Sequence, residues 1–355
     1  MSAGRRARVG SLRFAGSRVT SHVERDLVET ALPAPEPDHA AARMQLFESL
    51  VAAAHDGHEL YGRIEDLHGT TTGDGPASSV SRRAVLVTSI SGGTSRTRAA
   101  VVSSAEAVEP ASLAVEAEHL PRHSGPLPAH VVFEPMAFAE LIAEFAAVAL
   151  TVNGREDVDR FRRYWEGARI AGPGFTVTDD PAALGGWAVD IEGTASPPLV
   201  LVDDGVVTGS VQDRETAAAM GIPPSGRASR DVLGLCAYPA NLVIDLPSAP
   251  PRGDPHLRVE RVHYVSVVDP ATGTLTAATR DFTTVVTDGR AVAAVPSIRF
   301  TVDVPRLLRN VLGGVGPART VPVSWGGCVV RTPAVSVADL PLTVSIPHSP
   351  NGVHP

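Results

Sequence analysis

Residues Ala188 to Ser229 read AVDIEGTASPPLVLVDDGVVTGSVQDRETAAAMGIPPSGRAS, and this stretch decides how the rest of the chain is parsed. Its run PPLVLV, rich in β-branched valine, suits a buried strand, and Asp203, Asp204 and Gly205 supply the turn that ends it. A hairpin is expected there, with VVTGSV returning. The following QDRETAAAM has a helix-forming composition, and Gly221 with Pro223 and Pro224 stands where such a helix should stop. The order is strand, turn, strand, short helix, and then a Ser225-Gly226-Arg227 loop.

Outward from this stretch, the chain divides into a region 1–125, a region 126–345 and a tail 346–355 expected to be loose. Residues 5 to 31 alternate polar and apolar in part, as strands with one wet face do. Pro33 to Pro37 reads as a linker, and Asp38 to Ala54 has helical spacing, with Asp38 as a candidate N-cap. His68 to Ser81 reads as a Gly/Thr/Ser loop, followed by strands at Ala84 to Ile90 and Thr97 to Val102. Prolines at 121, 126 and 128 set the boundary in His119 to Ala129.

Beyond that boundary, HVVF is a short strand ended by Glu134-Pro135. From Met136, the residues Phe138, Leu141, Ile142, Phe145, Val148 and Ala149 recur on one helical face. Asp157 to Gly167 reads as a polar helix with Phe161 and Trp165 sharing a face. From Arg258 to Val344 the chain is mostly short strands broken by turn dipeptides, with one helix expected at Val304 to Leu312. The second region therefore reads as ending in a β-rich C-terminal domain.

Composition excludes several functions. The 355 residues are 43% hydrophobic and carry a net charge of -8, without the basic face a nucleic-acid backbone needs. No apolar run reaches membrane-spanning length, and a cytoplasmic protein is expected. All 31 basic residues are arginine, so Schiff-base, Walker-loop and kinase chemistries, which need a lysine amine, are removed. Only Cys236 and Cys328 are present, and both read as buried free thiols rather than a disulfide or zinc knuckle. No serine has a strained GxSxG turn.

The local motifs of the second region resemble the TldD/PmbA (TldD/TldE) family of zinc-peptidase-related proteins. Asp190-Ile191-Glu192-Gly193-Thr194 is similar to its D-D-E-G-T element, Asp204-Gly205-Val206-Val207 to its "enGvL" turn, and Ser225-Gly226-Arg227 to its T-G-N-x-R loop. Asn241-Leu242-Val243-Ile244 and Arg280-Asp281-Phe282-Thr283 are similar to further strand elements, and the likeness runs from about residue 125 to 345. It implies an α+β protein, a divergent N-terminal α/β domain followed by a β-rich C-terminal domain, that works on peptides as half of a heterodimer.

Catalytic members carry HExxxH on the helix after an E-P pair. The same interval from Glu134-Pro135 sets Ala143 and Val148 where the histidines belong and leaves Glu144 as the weak remaining catalytic candidate. Zinc needs about three protein ligands, and alanine and valine have no lone pair to give. The family's third ligand is a cysteine in C-G-K-x-G-Q, an element absent around Cys328, which is not assigned that role. No metal or other cofactor is expected on this chain, and zinc is expected in a TldD-like partner, as PmbA/TldE-type subunits imply.

Asp190, Glu192, Gly193, Thr194, Asp203, Ser225, Gly226 and Arg227 are the candidates for shaping a peptide cleft, with Arg227 able to grip a carboxylate. Turn and capping roles explain some of the carboxylates as well. His55, His58 and Glu59 fit a solvated helix end, and Glu116, Glu118, His119 and His123, interrupted by Pro121, fit a surface loop. The alternative to a zinc-less subunit is a non-enzymatic, homodimeric peptide-binding scaffold derived from the same family.

Overall fold

The computed structural model describes residues 4–15, 18–28, 40–54, 58–72, 78–91, 94–103, 108–113, 119–230, 235–248, 255–324, 328–340 and 343–345. The linker at Pro33 to Pro37, the Asp38 cap and the tail 346–355 lie outside them, as do His55, Glu116 and Glu118.

The N-terminal part is a five-stranded antiparallel sheet with Arg18–Val28 and Thr94–Ser103 at its edges. Between them run Gly4–Ala15, Glu59–Thr72 and Ser78–Ser91. The helix Ala40–Ala53 lays Phe47 and Leu50 on the face made by Leu12, Phe14, Leu60, Ile64, Val85 and Val87. Phe14 and Phe47 meet at 5.2 Å between ring centres.

Two expectations need correction here. His68 to Ser81 is largely strand, and Glu59 begins a strand rather than closing a helix. The inward positions of that strand are Leu60, Gly62, Ile64, Asp66 and His68, so its apolar period is interrupted by a glycine and two polar residues. Asp66 is tolerated because Arg43 and Arg83 hold it at 3.2 and 2.7 Å inside the core.

From Val131 onward two sheets enclose one helix. A ten-stranded mixed sheet includes Val131–Phe133, Thr176–Asp179, Leu199–Asp203, Asn241–Asp245, His256–Val259, Val311–Pro322 and Val329–Val337. Within it Asn241–Asp245 runs parallel to Val329–Val337, and His256–Val259 parallel to Val131–Phe133. The second sheet is antiparallel and orders Arg261–Asp269, Thr274–Arg280, Arg299–Asp303 and Thr343–Ser345.

The helix Pro135–Ala149 packs against Val329–Val337 of the first sheet and Arg261–Asp269 of the second. Its sequence predicts one apolar face, yet 12 of its residues are buried, because sheets cover it on more than one side. Pro135 suits the first turn, where its missing N–H leaves no bond unmade. Phe145 meets Trp165 edge-on at 5.3 Å, so the next helix, Arg155–Tyr164, is pinned through its C-terminal end. That helix carries Glu156 and Asp157 in its first turn and Arg162 and Arg163 in its last, in accord with the helix dipole.

The expected hairpin is Leu199–Asp203 returning as Val206–Val207. The helix after it is Arg214–Met220, capped by Asp213 on the Thr216 amide and ended by Gly221 at a φ of 73°. The later helix is Val304–Arg309, one turn shorter than its apolar spacing suggests because Val311 already begins a strand.

The N-terminal sheet meets this body along a polar seam. Glu260 accepts from Arg96 and Arg98 at 2.9 Å each, and Asp281 accepts from Ser95 at 2.8 Å and Thr97 at 2.5 Å. The seam holds two edges at a fixed spacing and leaves a cleft beside it.

Phe145 is wholly buried and spans helix to helix, so Phe145→Ala is expected to cost about 3–5 kcal/mol, the range for emptying an aromatic core site. Chemical denaturation would read the loss as a lower midpoint.

Candidate functional site

The loop residues singled out in the sequence are organised by one buried ion pair. Arg227 Nε donates to Asp179 Oδ2 at 2.8 Å, and neither side chain reaches solvent. The other arms of Arg227 donate to the carbonyls of Ser225 and Gly226, and to those of Asp179 and Pro197 at 2.8 and 2.7 Å. Asp179 in turn accepts from the amides of Ala240 and Asn241. The carboxylate that Arg227 grips is therefore Asp179 of its own chain, and its donors are consumed inside the fold.

Asp190 likewise serves the backbone. Oδ1 accepts from the amides of Glu192 and Thr194, and Oδ2 from Ala228, so the Asp190-to-Thr194 turn is tied to the strand Ala228–Arg230. Gly193 takes a φ of 76° in that turn. Glu192 accepts from the Arg214 amide at 2.9 Å, where the short helix begins, and Thr194 accepts from Arg214 Nε. Ser225 accepts from the Gln212 amide and donates to the Gln212 carbonyl. Gly226 has a φ of 70° and no room for a Cβ, which would strike the Ala195 carbonyl.

These residues form a scaffold more than a lining. Asp190, Gly226 and Arg227 border a cleft of about 520 Å³, whereas Glu192, Gly193, Thr194 and Ser225 stand behind it. Asp203 lies exposed on the hairpin, outside the cleft. The opposite wall is the N-terminal sheet, which contributes Arg63, Glu65 and Arg82, and Trp187, Tyr238, Asn241, Ser324 and Cys328 complete it. Arg82 donates to Asn241 Oδ1 at 3.1 Å across the cleft. Sequence reasoning missed this wall because nothing local in strands Glu59–Thr72 and Ser78–Ser91 marks which residues face the body. Trp187 and Tyr238, aromatic and beside glycine or proline in sequence, were the available signal.

Along the central helix, Ala143 is buried in the apolar core and Val148 packs against it, and neither side chain has a lone pair to offer a metal. Glu144 is half-buried, and burial and then Glu140, one turn away, hold its carboxyl above the usual range. Glu140 is raised too, chiefly by burial, although its Oε1 accepts from the Ser324 amide at 2.8 Å and the Ser324 hydroxyl at 2.6 Å. Cys328 is fully buried, which pushes its thiol well up, and its sulfur donates weakly to the Val329 carbonyl. Cys236, expected to be buried, is only half so. A zinc ion does not fit this helix, and among the described residues no three of His, Cys, Asp and Glu converge on one point.

The rival clusters disperse. His58 contacts the Ser89 hydroxyl at 3.1 Å, while Glu59 accepts from the Tyr61 hydroxyl. His123 Nε2 lies 3.1 Å from the Pro126 carbonyl in a loop, and His119 is exposed.

A strand-rich α+β body with a helix enclosed by two sheets and a cleft against an N-terminal sheet defines the class. The chain belongs to the PmbA/TldA metallopeptidase family: the family's "PmbA/TldA metallopeptidase C-terminal domain" matches residues 127–339. A metalloprotease of Methanothermobacter thermautotrophicus is 41% identical over 70 residues, which span 19% of this chain and 15% of that protein. TldE from Thermococcus kodakarensis superposes with a TM-score of 0.73 at 14% identity, over 95% of both chains. A Thermotoga maritima protein described as a candidate modulator of a DNA gyrase gives the same score and identity, over 97% of this chain and 95% of that one. At such identity the two structures establish a shared fold. No helix among the described residues is long and apolar enough to cross a membrane.

Two outcomes follow from these geometries. Arg227→Met leaves Asp179 buried without its cation and is expected to cost about 3–5 kcal/mol, read by denaturant unfolding. Glu140, whose folded form binds its proton more tightly than the unfolded chain does, contributes most to stability below the ordinary glutamate range. That contribution is lost as pH rises through the raised value. Glu140→Gln is therefore expected to raise the melting temperature at neutral pH relative to the parent, with the gain vanishing as the pH falls toward that range.

Proposed function

We propose that this chain is the zinc-less, PmbA/TldE-like subunit of a TldD/TldE-type metallopeptidase complex that processes or degrades peptides. A zinc-bearing TldD-like partner supplies the hydrolytic metal, and this chain helps to form the substrate cleft. The observation that carries the reading is the central helix. Ala143 and Val148 give a metal nothing to bind, while a cleft of about 520 Å³ is bordered by Ser324, whose hydroxyl bonds Glu140 of that helix.

An extended peptide suits such a cleft. Ala228 and Ser229, in the first strand of the ribbon Ala228–Arg230 and Leu235–Ala237, border it, and a chain lying along a strand gains main-chain hydrogen bonds without regard to sequence. Trp187 and Tyr238 offer apolar surface for side chains. Asp190, Gly226 and Arg227 act here by holding the ribbon in place. A cytoplasmic setting belongs to the proposal, because Cys236 and Cys328 form no disulfide, as suits a reducing compartment.

Metal analysis with size-exclusion mass, on the chain alone and after co-expression with a TldD-like protein of the same organism, tests the proposal. The expected outcome is zinc only in a mixed complex, at about one ion per pair. Stoichiometric zinc in the lone chain would overturn it, and the absence of both zinc and complex would favour the homodimeric peptide-binding scaffold.

A further inference from the structure

Behind the main cleft lies a smaller recess of about 90 Å³, and the two share Arg63, Pro322, Val323 and Ser324 in their walls. Arg261 and Glu140 line only the smaller recess. A recess of this size holds about three waters, or one carboxylate with a water.

Its electrostatics are unbalanced. Arg261 is about nine-tenths buried, and its Nε has no acceptor among the described residues. Its remaining contacts are long: Thr97 Oγ1 at 3.4 Å and Asp281 Oδ2 at 3.5 Å. The Asp281 oxygens already receive shorter bonds from Ser95 and Thr97. Arg63, at the junction of the two cavities, pairs among the described residues with Glu65, at 3.6 Å. Against these two cations stands a single carboxylate, Glu140, whose Oε1 is already engaged by the Ser324 amide and hydroxyl. A desolvated guanidinium with an unmet donor favours an acceptor that carries charge.

We propose that this recess takes a carboxylate of the bound peptide, with Arg261 and Arg63 as its two recognising groups. The inference rests on the peptide-cleft reading and adds a chemical preference to it: the substrate presents either its C-terminal carboxylate or an Asp or Glu side chain. Where the group is the C-terminal carboxylate, it also fixes the direction in which an extended chain lies in the main cleft.

Fluorescence anisotropy with N-terminally dye-labelled alanine pentapeptides separates the sources, on the full chain alone and in the mixed complex. The three probes are the free acid, the C-terminal amide, and the amide with glutamate as its last residue. The neutral amide is expected to bind at least about tenfold more weakly than the free acid, the scale of one lost charge-assisted contact. If the glutamate amide matches the free acid, the recess reads any carboxylate; if it matches the neutral amide, the recess reads the chain terminus.

Arg63→Gln, at a part-exposed side chain that anchors no core, is expected to abolish the discrimination. Arg261→Gln should do the same, but it also touches the seam, so the Arg63 variant decides. Equal binding of all three peptides, no binding of any, or full discrimination in R63Q would overturn the carboxylate recess. The zinc and mass measurements are independent of these titrations: a mixed zinc complex indifferent to peptide charge would keep the subunit reading and remove only the recess.

Discussion

Asp179 and Arg227 meet where four segments of chain come together, and neither can be solvated by water. A guanidinium in that position must spend its donors on the protein, and it does so on one carboxylate and on the carbonyls of Asp179, Pro197, Ser225 and Gly226. The carboxylate spends its remaining capacity on the Ala240 and Asn241 amides. Desolvating two charges is costly, and full pairing is what makes it tolerable. In exchange, the strand Thr176–Asp179, the Ser225-Gly226-Arg227 loop and the strand Asn241–Asp245 have one mutual arrangement. The cleft wall inherits its shape from that arrangement, through Asn241 and the ribbon that starts at Ala228.

The central helix imposes a different kind of constraint. Because two sheets enclose it, most of its positions must be small or apolar. Glu140 and Glu144 are the polar exceptions, the first buried and engaged by Ser324 and the second half-buried, and burial holds both carboxyls above the usual range. Ala143, one residue from Glu144, faces fully packed core.

How much of this was legible in the sequence depends on how local the cause was. The helix Pro135–Ala149, the Asp204-Gly205 turn and the Asp213-to-Gly221 helix carry their signals within a few residues: an apolar period, a turn pair, a cap and a stop. The strand Glu59–Thr72 hid because its inward face includes Gly62, Asp66 and His68, and Asp66 becomes acceptable only through Arg43 and Arg83, each 17 or more residues away. The same distinction governs the site. Asp190, Gly226 and Arg227 stood out by motif, but whether a side chain lines the cleft or braces it is set by partners such as Asp179 and Ala195. The wall supplied by Arg63, Glu65 and Arg82 is wholly a matter of how the N-terminal sheet docks.

That docking is made by the seam in which Glu260 receives Arg96 and Arg98 and Asp281 receives Ser95 and Thr97. All four donors come from alternate or adjacent positions of one edge strand, and both acceptors are nearly buried. Apolar faces in contact can slide by fractions of a side chain at little cost, whereas hydrogen bonds to fixed carboxylates lose most of their strength with a small change in angle or distance. The N-terminal sheet thus sits in a toothed joint. Shifting it along the body by less than one pleat breaks bonds without making new ones, so the width of the cleft takes a set value instead of a continuous range.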